Sequence, residues 1–352
     1  MKKLNTVLLA LGLAFLAYLV WTVGPRELLQ QVHALGWGVI PLILIEGLAN
    51  LAHTAGWRYC INGPGPRVPL LRLFRMALAG WAINYLTPSA SVGGEATKAA
   101  LLSSTHTGPE AVSSVLLDKL TTAIAHLLLA VLGSLFLLWR LSLPLQLWLA
   151  MALSSGLLTG ALLVFLWMQK QGKLGGFLRW LVDRKLGGNP VQQAARHVSE
   201  VDETLKRFYR ERPLDLVLAV GWHVIGHSAA IFQAGLFLWL LKQPAPFATF
   251  AAVGFLSLWF DLLTFAIPLN LGTLEGSRVL ALNAVGSGAV LGMTLGVAVR
   301  VAQVFWACCG LVCYSLFAVQ PTGPVPTKPA APPCARYQTG SRTLNLRSFA
   351  LP

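Results

Sequence analysis

The sequence predicts an all-α polytopic membrane protein of six to eight transmembrane helices, with two re-entrant hairpins arranged as an inverted repeat. Of the 352 residues, 55% are hydrophobic and only 11% are charged, and the mean hydropathy is +0.65. Several apolar runs approach the ~20 residues that cross the hydrocarbon core of a bilayer. A motif of proline, glycine, glutamate and a basic residue interrupts two of these runs, one in each half of the chain.

The net charge of +14 does not indicate nucleic-acid binding. The basic residues fall in the loops between apolar segments, as the positive-inside rule expects of a membrane protein. The five cysteines show no metal-ligand spacing. We therefore expect neither a metal nor a cofactor, and no nucleic-acid partner.

The first predicted span, 4–23, begins the membrane half 1–168. Its apolar run is longer than the ~7–15 residues of a signal-peptide core, and no A-x-A-like cleavage site follows. We expect a retained span with a cytoplasmic N-terminus. A short external amphipathic stretch, 24–36, leads to the second span, 37–59, which ends beside Arg58, either an interface anchor or a site residue.

The first copy of the motif lies in residues 68–103 and reads Pro88-Ser-Ala-Ser-Val-Gly-Gly-Glu95-Ala-Thr-Lys98. Proline and paired glycines break a helix, and a membrane tolerates unpaired backbone groups only inside protein or beside a water-filled cavity. This pattern predicts a hairpin that enters from the cytoplasm. The next span, 109–139, carries Asp118 and Lys119, and the span 145–168 follows it.

Residues 169–212 hold ten Lys and Arg against five Asp and Glu. Such a segment is typical of a basic amphipathic loop on the anionic cytoplasmic leaflet. It divides the chain into two membrane halves. The last residues, 319–352, are rich in proline, basic and free of acidic residues, and they predict a disordered tail too short for a catalytic domain.

The second half, 213–318, repeats the first in the opposite orientation. A span at 213–241 is followed by a hairpin at 247–287, whose motif reads Pro268-Leu-Asn-Leu-Gly-Thr-Leu-Glu275-Gly-Ser-Arg278. The last span, 288–318, carries Arg300. The motif glutamate precedes the cation of the following span by 24 residues in the unit 37–139 and by 25 in the unit 213–318. Inverted repeats with broken helices are typical of transporters.

Ionisable residues within membrane sequence are costly and mark functional sites by default. The alternative is that each motif holds a local ion pair, since Glu and the basic residue three positions later share a helix face. We predict a substrate-binding set consisting of Pro88, Gly93, Gly94, Glu95, Lys98, Asp118, Lys119, Pro268, Gly272, Glu275, Arg278 and Arg300, with Arg58, Asn84 and Asp261 as further candidates.

Two further patterns bear on the ligand. The two motifs and their span cations carry four positive and two negative charges, a surplus that Asp118 and Asp261 or a bound anion would offset. We therefore expect a ligand with a phosphate or another anionic group. His223 and His227 lie one helical turn apart, but no carboxylate or cysteine accompanies them and His53 is a doubtful third ligand, so packing histidines are expected rather than a zinc site.

The segment Asn84-Tyr-Leu-Thr-Pro88-Ser-Ala-Ser-Val-Gly-Gly-Glu95-Ala-Thr-Lys98, followed by Ala111-Val-Ser-Ser-Val-Leu-Leu-Asp118-Lys119, resembles a known family. This is the flippase-like membrane family named after the transmembrane part of lysylphosphatidylglycerol synthase. The second half agrees, and the resemblance covers about residues 4–318. Where that family usually has arginine, this chain has Lys98 and Lys119, which keep the charge but not bidentate phosphate binding.

The resemblance implies a lipid translocator, which we expect in the bacterial inner membrane. Basic residues in 58–75, 169–212 and the tail predict that both termini are cytoplasmic. The substrate of such a translocator would be a phospholipid, an aminoacyl-phosphatidylglycerol or an isoprenoid- or hopanoid-type lipid. No catalytic motif is found, so an enzyme is less expected than a transporter. A membrane-embedded headgroup transferase and a non-transporting partner of lipid-synthesis enzymes remain the alternatives, and a homo-oligomer is a further candidate assembly.

Overall fold

A computed structural model describes residues 18, 20–21, 24–61, 66–86, 92–140, 145–171, 207–244, 246–264 and 270–319. Throughout these residues the regular structure is helical, and they contain no strand. Most of the predicted first span, most of the polar loop and the predicted tail lie outside the described residues. Pro88 and Pro268, the two motif prolines, also lie outside them.

The described helices follow the apolar runs of the sequence and end at the glycines, prolines and polar turns between them. Their bounds are α1 Pro25–Leu35, α2 Val39–Cys60, α3 Leu70–Leu86, α4 Val92–Leu102, α5 Gly108–Arg140, α6 Leu145–Lys170, α7 Pro213–Leu240, α8 Phe247–Thr264, α9 Thr273–Ala284 and α10 Ala289–Val319. A 3₁₀ turn, Gly36–Gly38, joins α1 to α2.

Four helical segments within the described residues are long and apolar enough to cross a membrane. They are Pro25–Cys60, Gly108–Trp139, Pro213–Leu240 and Ala289–Phe317. They correspond to the predicted spans at 37–59, 109–139, 213–241 and 288–318. The predicted span 145–168 coincides with α6, where the apolar stretch Met151–Val164 is shorter. The chain is therefore a multi-pass membrane protein.

The outer surface of the long helices is apolar, as lipid contact requires. Exposed apolar patches of this extent are rare on soluble monomers. Large exposed side chains occur on all four spanning segments, and they include Leu44, Leu48, Leu132, Leu135, Ile225, Phe232, Val304 and Val312.

Each motif separates two helices that are short for a membrane span. In the first half α3 has 17 residues and α4 has 11; in the second half α8 has 18 and α9 has 12. In both halves the chain breaks between them and then continues into a helix of more than 30 residues, α5 or α10. Most residues between the two short helices of each pair lie outside the described residues; where the second motif is described, Gly272 precedes α9 with φ +73°.

The two halves pack through matching helices. Helix α2 packs on α7, α3 on α10, and α8 on α5. The α2 and α7 helices are antiparallel, because Gln233 donates a hydrogen bond to the Leu42 carbonyl near one end (3.3 Å) while Gly56 lies against His223 near the other. The first span of the unit 37–139 thus lies beside the first span of the unit 213–318, and each broken helix pair contacts the long charged helix of the opposite unit.

Candidate functional site

The first charged cluster is centred on Lys98 of the short helix α4. Its Nζ atom lies 2.5 Å from Asp118 Oδ2 on α5 and 3.3 Å from Glu95 Oε2, one turn earlier on α4. The ammonium group also lies 4.5 Å from the ring centroid of Trp57 on α2, a cation–π distance. Two carboxylates and an aromatic face thus compensate a cation whose side chain is nearly buried.

Glu95 also joins the short helix to the long helix α5 through Lys119. The Lys119 Nζ atom lies 3.2 Å from Glu95 Oε1, so the two oxygens of Glu95 face two different cations. Lys119 has 55% of its side chain exposed, compared with 11% for Lys98. Of the two lysines, Lys119 is therefore the one that presents its charge outside the protein interior.

The second charged cluster repeats this connection with an arginine. Arg300 of α10 binds Glu275 of α9 through two hydrogen bonds, from Nε to Oε1 (2.8 Å) and from Nη2 to Oε2 (3.0 Å). The Glu275 side chain is only 3% exposed. Such a bidentate contact is stronger and more directional than a lysine contact. The glutamate 24 or 25 residues before the span cation binds that cation in both halves.

Arg278, unlike Lys98, is bound by a carboxylate on the preceding helix. Its Nη1 and Nη2 atoms donate to the two oxygens of Asp261 on α8, at 2.6 and 2.9 Å. Nη1 also donates to the Ser277 hydroxyl at 2.7 Å. The aspartate that binds the motif cation therefore lies on different helices in the two halves. Asp118 is on the long charged helix α5, whereas Asp261 is on α8, the helix before the break.

One contact joins the second cluster to the opposite half. Arg300 Nη1 donates to the hydroxyl of Tyr85 near the end of α3, at 3.3 Å. Arg300 Nη2 also donates to the carbonyl of Asn270, the first described residue after the second break, at 2.9 Å. The same guanidinium group thus contacts α9, the backbone just before α9, and α3 of the other half.

The motif glycines allow close approach and capping at both breaks. A Cβ atom on Gly94 would lie 2.1 Å from the Gly80 carbonyl oxygen, so α3 and α4 touch backbone to backbone there. The Gly94 N–H donates to Asn84 Oδ1 at 2.6 Å. In the second half Gly272 has φ +73°, a conformation that favours glycine, and its N–H donates to Glu275 Oε2 at 3.0 Å.

The structure brings most of the predicted residues together and separates one of them. The charged candidates and Asn84, Gly94 and Gly272 lie in the two clusters or at the breaks beside them. Gly93 is half-buried, and its carbonyl accepts a hydrogen bond from Thr97 at 2.9 Å. Arg58 is exposed in the last turn of α2, which favours the interface anchor over a site residue. Pro88 and Pro268 remain predictions because they lie outside the described residues.

The described residues bear on two alternatives that the sequence left open. The local pair three residues apart exists for Glu95 and Lys98, but in the second motif Glu275 binds Arg300 and Arg278 binds Asp261. The predicted charge surplus is also offset within the protein. Asp118 and Asp261 each lie in direct contact with a motif cation, so the four cations face four carboxylates. Charge counting therefore no longer requires an anionic ligand.

Four histidines form a contact chain that the sequence did not predict. His53 of α2 and His223 of α7 lie with their Nδ1 atoms 2.9 Å apart. His227 has its ring centroid 4.7 Å from that of His53 and 4.6 Å from that of His126 on α5. His223 Nε2 lies 3.2 Å from Asp118 Oδ1, and this contact connects the four histidines to the first charged cluster. The histidines expected to serve packing are thus in contact with one another and with the first charged cluster.

A repeated sequence pattern positions His53 and His223. Each is followed three residues later by glycine, as His53-Thr-Ala-Gly56 and His223-Val-Ile-Gly226. A Cβ atom on Gly56 would lie 2.7 Å from His223 Nε2, and one on Gly226 would lie 2.7 Å from His53 Nε2. Each histidine therefore occupies the space over the other helix's glycine. This repeat in the first helix of each half was the signal available in the sequence.

Metal binding has no support in the described part of the chain. No group of three or more His, Cys, Asp or Glu side chains there has an arrangement that could hold a metal ion. The four histidines contact one another by ring packing and a nitrogen–nitrogen contact rather than converging on one point.

The chain matches the family described as the lysylphosphatidylglycerol synthase TM region over residues 6–310. The chain belongs to this family. It is also 30% identical over 135 residues to a UPF0104 membrane protein of Methanothermobacter thermautotrophicus. That stretch covers 38% of the chain and 40% of the relative, so the chain matches less than half of the relative's length. No solved structure matches the chain.

Within the lysylphosphatidylglycerol synthase TM family this chain has a mixed set of cations. The first cluster uses Lys98 and Lys119, each of which contacts carboxylates through a single nitrogen. The second uses Arg278 and Arg300, each of which contacts one carboxylate through two nitrogens. The two clusters are therefore equivalent in charge and unequal in rigidity.

Proposed function

We propose that this chain moves a polar lipid between the two leaflets of a membrane. The observation that carries the proposal is the repeated link between a short helix and a long one, Glu95–Lys119 in one half and Glu275–Arg300 in the other. Each link joins a helix that follows a break to a helix long enough to cross the bilayer. Charges within membrane sequence that pair across such breaks are typical of substrate pathways.

The proposed architecture is an inverted repeat of the units 37–139 and 213–318, each with a re-entrant hairpin. Three features support it. The matching helices α2 and α7 are antiparallel, each broken helix pair packs on the long helix of the other half, and the two His-x-x-Gly patterns face each other reciprocally. Rocking of one repeat against the other would then expose a central site alternately to each side.

The headgroup that this site would accept is polar and carries a phosphate or another anionic group. Because the positive and negative charges of the clusters are equal in number, the anionic group would have to replace a carboxylate as the partner of one of the cations. Lys119 is the natural contact point, since more than half of its side chain is exposed and its described ion pair is with Glu95 alone. When the anionic group binds Lys119, Glu95 loses that cation. An amine on the same headgroup would then pair with the Glu95 carboxylate.

The proposed location is the bacterial inner membrane, with both chain termini in the cytoplasm. Exposed tryptophans occur at Trp37, Trp139 and Trp239, at helix ends that this orientation places outside. Tryptophan is enriched at membrane–water interfaces. Arg58 and Arg212 lie at the opposite helix ends, while Arg140 and Lys242 follow Trp139 and Trp239 at the ends placed outside.

The test is lipid translocation by purified protein in liposomes whose labelled phospholipids differ in headgroup. Wild-type protein is expected to move at least one of them between leaflets. Lys119→Ala should insert normally yet lose most of that activity, because it removes the exposed cation. Arg26→Ala, which removes an exposed cation of α1 outside both clusters, is the matched control.

Three outcomes separate the candidate functions. Lipid that changes sides with its mass unchanged supports the proposal. Lipid whose mass changes shows a headgroup transferase instead. If no labelled lipid moves or changes, the protein is a partner of other lipid-synthesis proteins, and the transport proposal is wrong.

A further inference from the structure

The four membrane histidines lie between the two charged clusters and take no part in the ion pairs that carry the proposed function. They come from three helices that pack together, His53 from α2, His126 from α5, and His223 and His227 from α7. Histidine within membrane sequence is rare and is typical of proton pathways. It is also the side chain that most readily gains and loses a proton near neutral pH.

The hydrogen-bonding rules assign protons along the first part of this chain. Ionised Asp118 only accepts hydrogen bonds. Its Oδ1 atom is buried without a hydrogen-bond partner among the described residues and lies 3.2 Å from His223 Nε2, so the relay requires the tautomer of His223 that carries its proton on Nε2. In a neutral His223 the Nδ1 atom is then an acceptor. The Nδ1 atom of His53, 2.9 Å away, must therefore be the donor. This arrangement leaves the Nε2 atom of His53 without a proton and able to accept one.

We propose that His53, His223 and Asp118 form a proton relay, extended by His227 and His126, that couples lipid movement to proton movement. A proton accepted at His53 Nε2 makes its Nδ1 proton available to His223 Nδ1. The His223 Nε2 proton then passes to Asp118. Each step breaks one N–H bond and forms one N–H or O–H bond, so one proton enters at His53 and one reaches the carboxyl group.

The far end of the group reaches the second half. His126 donates its Nε2–H to the carbonyl of Leu258 on α8, at 2.8 Å, because a carbonyl only accepts. Asp261, which binds Arg278, lies one helical turn further along α8. Between these ends His227 contacts both His53 and His126, and its Nε2 atom is buried with no hydrogen-bond partner among the described residues.

The relay ends at the carboxylate that holds the short helix α4. Asp118 faces His223 through Oδ1 and Lys98 through Oδ2. A proton on Asp118 removes the charge that holds Lys98 and leaves the cation to Glu95, which also holds Lys119. Proton arrival therefore redistributes the contacts of the helix after the break, and this is the coupling step. The proposal rests on the transport function proposed above.

The charged and titratable groups that face the relay are few. Asp118 and Lys98 act electrostatically on His53, together with His223 and His126. On the α2 side, Glu46 accepts a hydrogen bond from Gln233 of α7 at 2.9 Å and lies near enough to Asp261 and Arg278 to feel their charges. Thr122 of α5 lies 3.2 Å from His223 Nδ1 and cannot titrate in this range. Of the groups named here, the histidines are the ones whose two ring nitrogens can accept a proton on one side and release a proton from the other.

The experiment uses the full chain in liposomes with a translocated lipid as one readout and a trapped pH-sensitive dye as the other. An imposed difference of about one pH unit changes the ratio of protonated to neutral histidine on the two sides about tenfold. Wild-type protein is expected to translocate lipid several times faster under one orientation of the gradient than without it. The dye should report proton movement that depends on the lipid.

Variants locate the effect. His53→Asn and His223→Asn keep a polar amide near the Nδ1 position but cannot hold an extra proton, so both should remove the response to the gradient. His33→Asn, at an exposed histidine of α1, should keep it. The wild-type comparison with and without a gradient decides the question even if a relay variant fails to fold.

The outcomes separate the relay from the transport proposal. Lipid translocation that is equal with and without a gradient, and that moves no protons, overturns the relay and leaves the transport function standing. A full gradient response in folded His53→Asn and His223→Asn also overturns the relay. If no lipid moves under any gradient, the transport function is wrong and the coupling falls with it.

Discussion

At the scale of single residues, the charged clusters combine two kinds of ion pair. Lys98 and Asp118 are almost fully buried and 2.5 Å apart, whereas Lys119 is more than half exposed. A buried pair is costly to break, because the remaining partner becomes an uncompensated buried charge. An exposed pair contributes little to stability. The two lysines of the first cluster should therefore respond differently to substitution.

We predict that Asp118→Asn strongly destabilises the protein. It leaves Lys98 with Glu95 alone, and breaking a buried pair costs about 3–5 kcal/mol. The measurement is the midpoint of thermal unfolding in detergent together with the amount of protein in the membrane. The double variant Lys98→Met with Asp118→Asn removes both charges and should recover most of the loss. A single variant as stable as wild type would show that water, rather than Asp118, compensates Lys98.

Lys119→Ala provides the contrasting case. Because the Lys119 side chain is 55% exposed, we expect its removal to change the unfolding midpoint little while lipid translocation is lost. Loss of folded protein in step with loss of transport would instead indicate that Lys119 serves stability.

The sequence predicted the contacts at this scale only in part. The matched intervals of 24 and 25 residues singled out Glu95 with Lys119 and Glu275 with Arg300 as a repeated set, but they did not predict that the members of each set pair directly. The partners of Lys98 and Arg278 were not predictable by symmetry, since their carboxylates lie on different helices in the two halves. Spacing along one helix can identify residues that share a face, but it cannot tell which neighbouring helix supplies the opposite charge.

At the scale of helices, hydrophobicity and helix breakers predicted most of the described boundaries. The apolar runs 37–59, 109–139, 213–241 and 288–318 match α2, α5, α7 and α10 to within a few residues. The packing of α2 on α7 was not predicted, because apolar faces of membrane helices do not specify their partners. Small residues do indicate where two membrane helices pack, because they let the helices approach closely, as Gly56 and Gly226 illustrate.

Gly94 offers a test of the first broken helix pair. We predict that Gly94→Ala destabilises the protein by about 1–3 kcal/mol, the usual range for overpacking. The added Cβ would lie 2.1 Å from the Gly80 carbonyl oxygen, which cannot move without shifting α3. Gly221→Ala is the control, because nothing lies within 4 Å of a Cβ there and alanine favours a helix. Equal unfolding midpoints for the two variants would mean that α3 and α4 are not in close backbone contact.

At the scale of the whole molecule, each half packs against a helix of the other half. The helix before each break, α3 or α8, contacts the long charged helix of the other half, and Arg300 reaches Tyr85 across that boundary at 3.3 Å. The packing around the long charged helix of each half therefore depends on the other half. A sequence pattern reveals the repetition of a unit, but the interlocking of two units depends on packing between residues more than 100 positions apart.

The relative orientation of the halves gives the last prediction. An inverted repeat requires an odd number of membrane crossings between equivalent points, so that the polar turns of the two halves lie on opposite sides. The turn between α4 and α5, at Thr107, should be cytoplasmic, and the turn between α7 and α8, at Gln243, should be external. The basic loop around Asn189 and the C-terminus should be cytoplasmic, by the positive-inside rule.

Reporter fusions or single cysteines at these four positions, probed from each side of intact cells, measure the orientation directly. Labelling at Gln243 alone from outside agrees with the repeat. Exposed Trp37, Trp139 and Trp239 should then lie at the same outer interface as Gln243. If Thr107 and Gln243 are labelled from the same side, the two halves have the same orientation. The matching contacts of Glu95 and Glu275 would then arise from a parallel arrangement, and alternating access through opposed hairpins would be excluded.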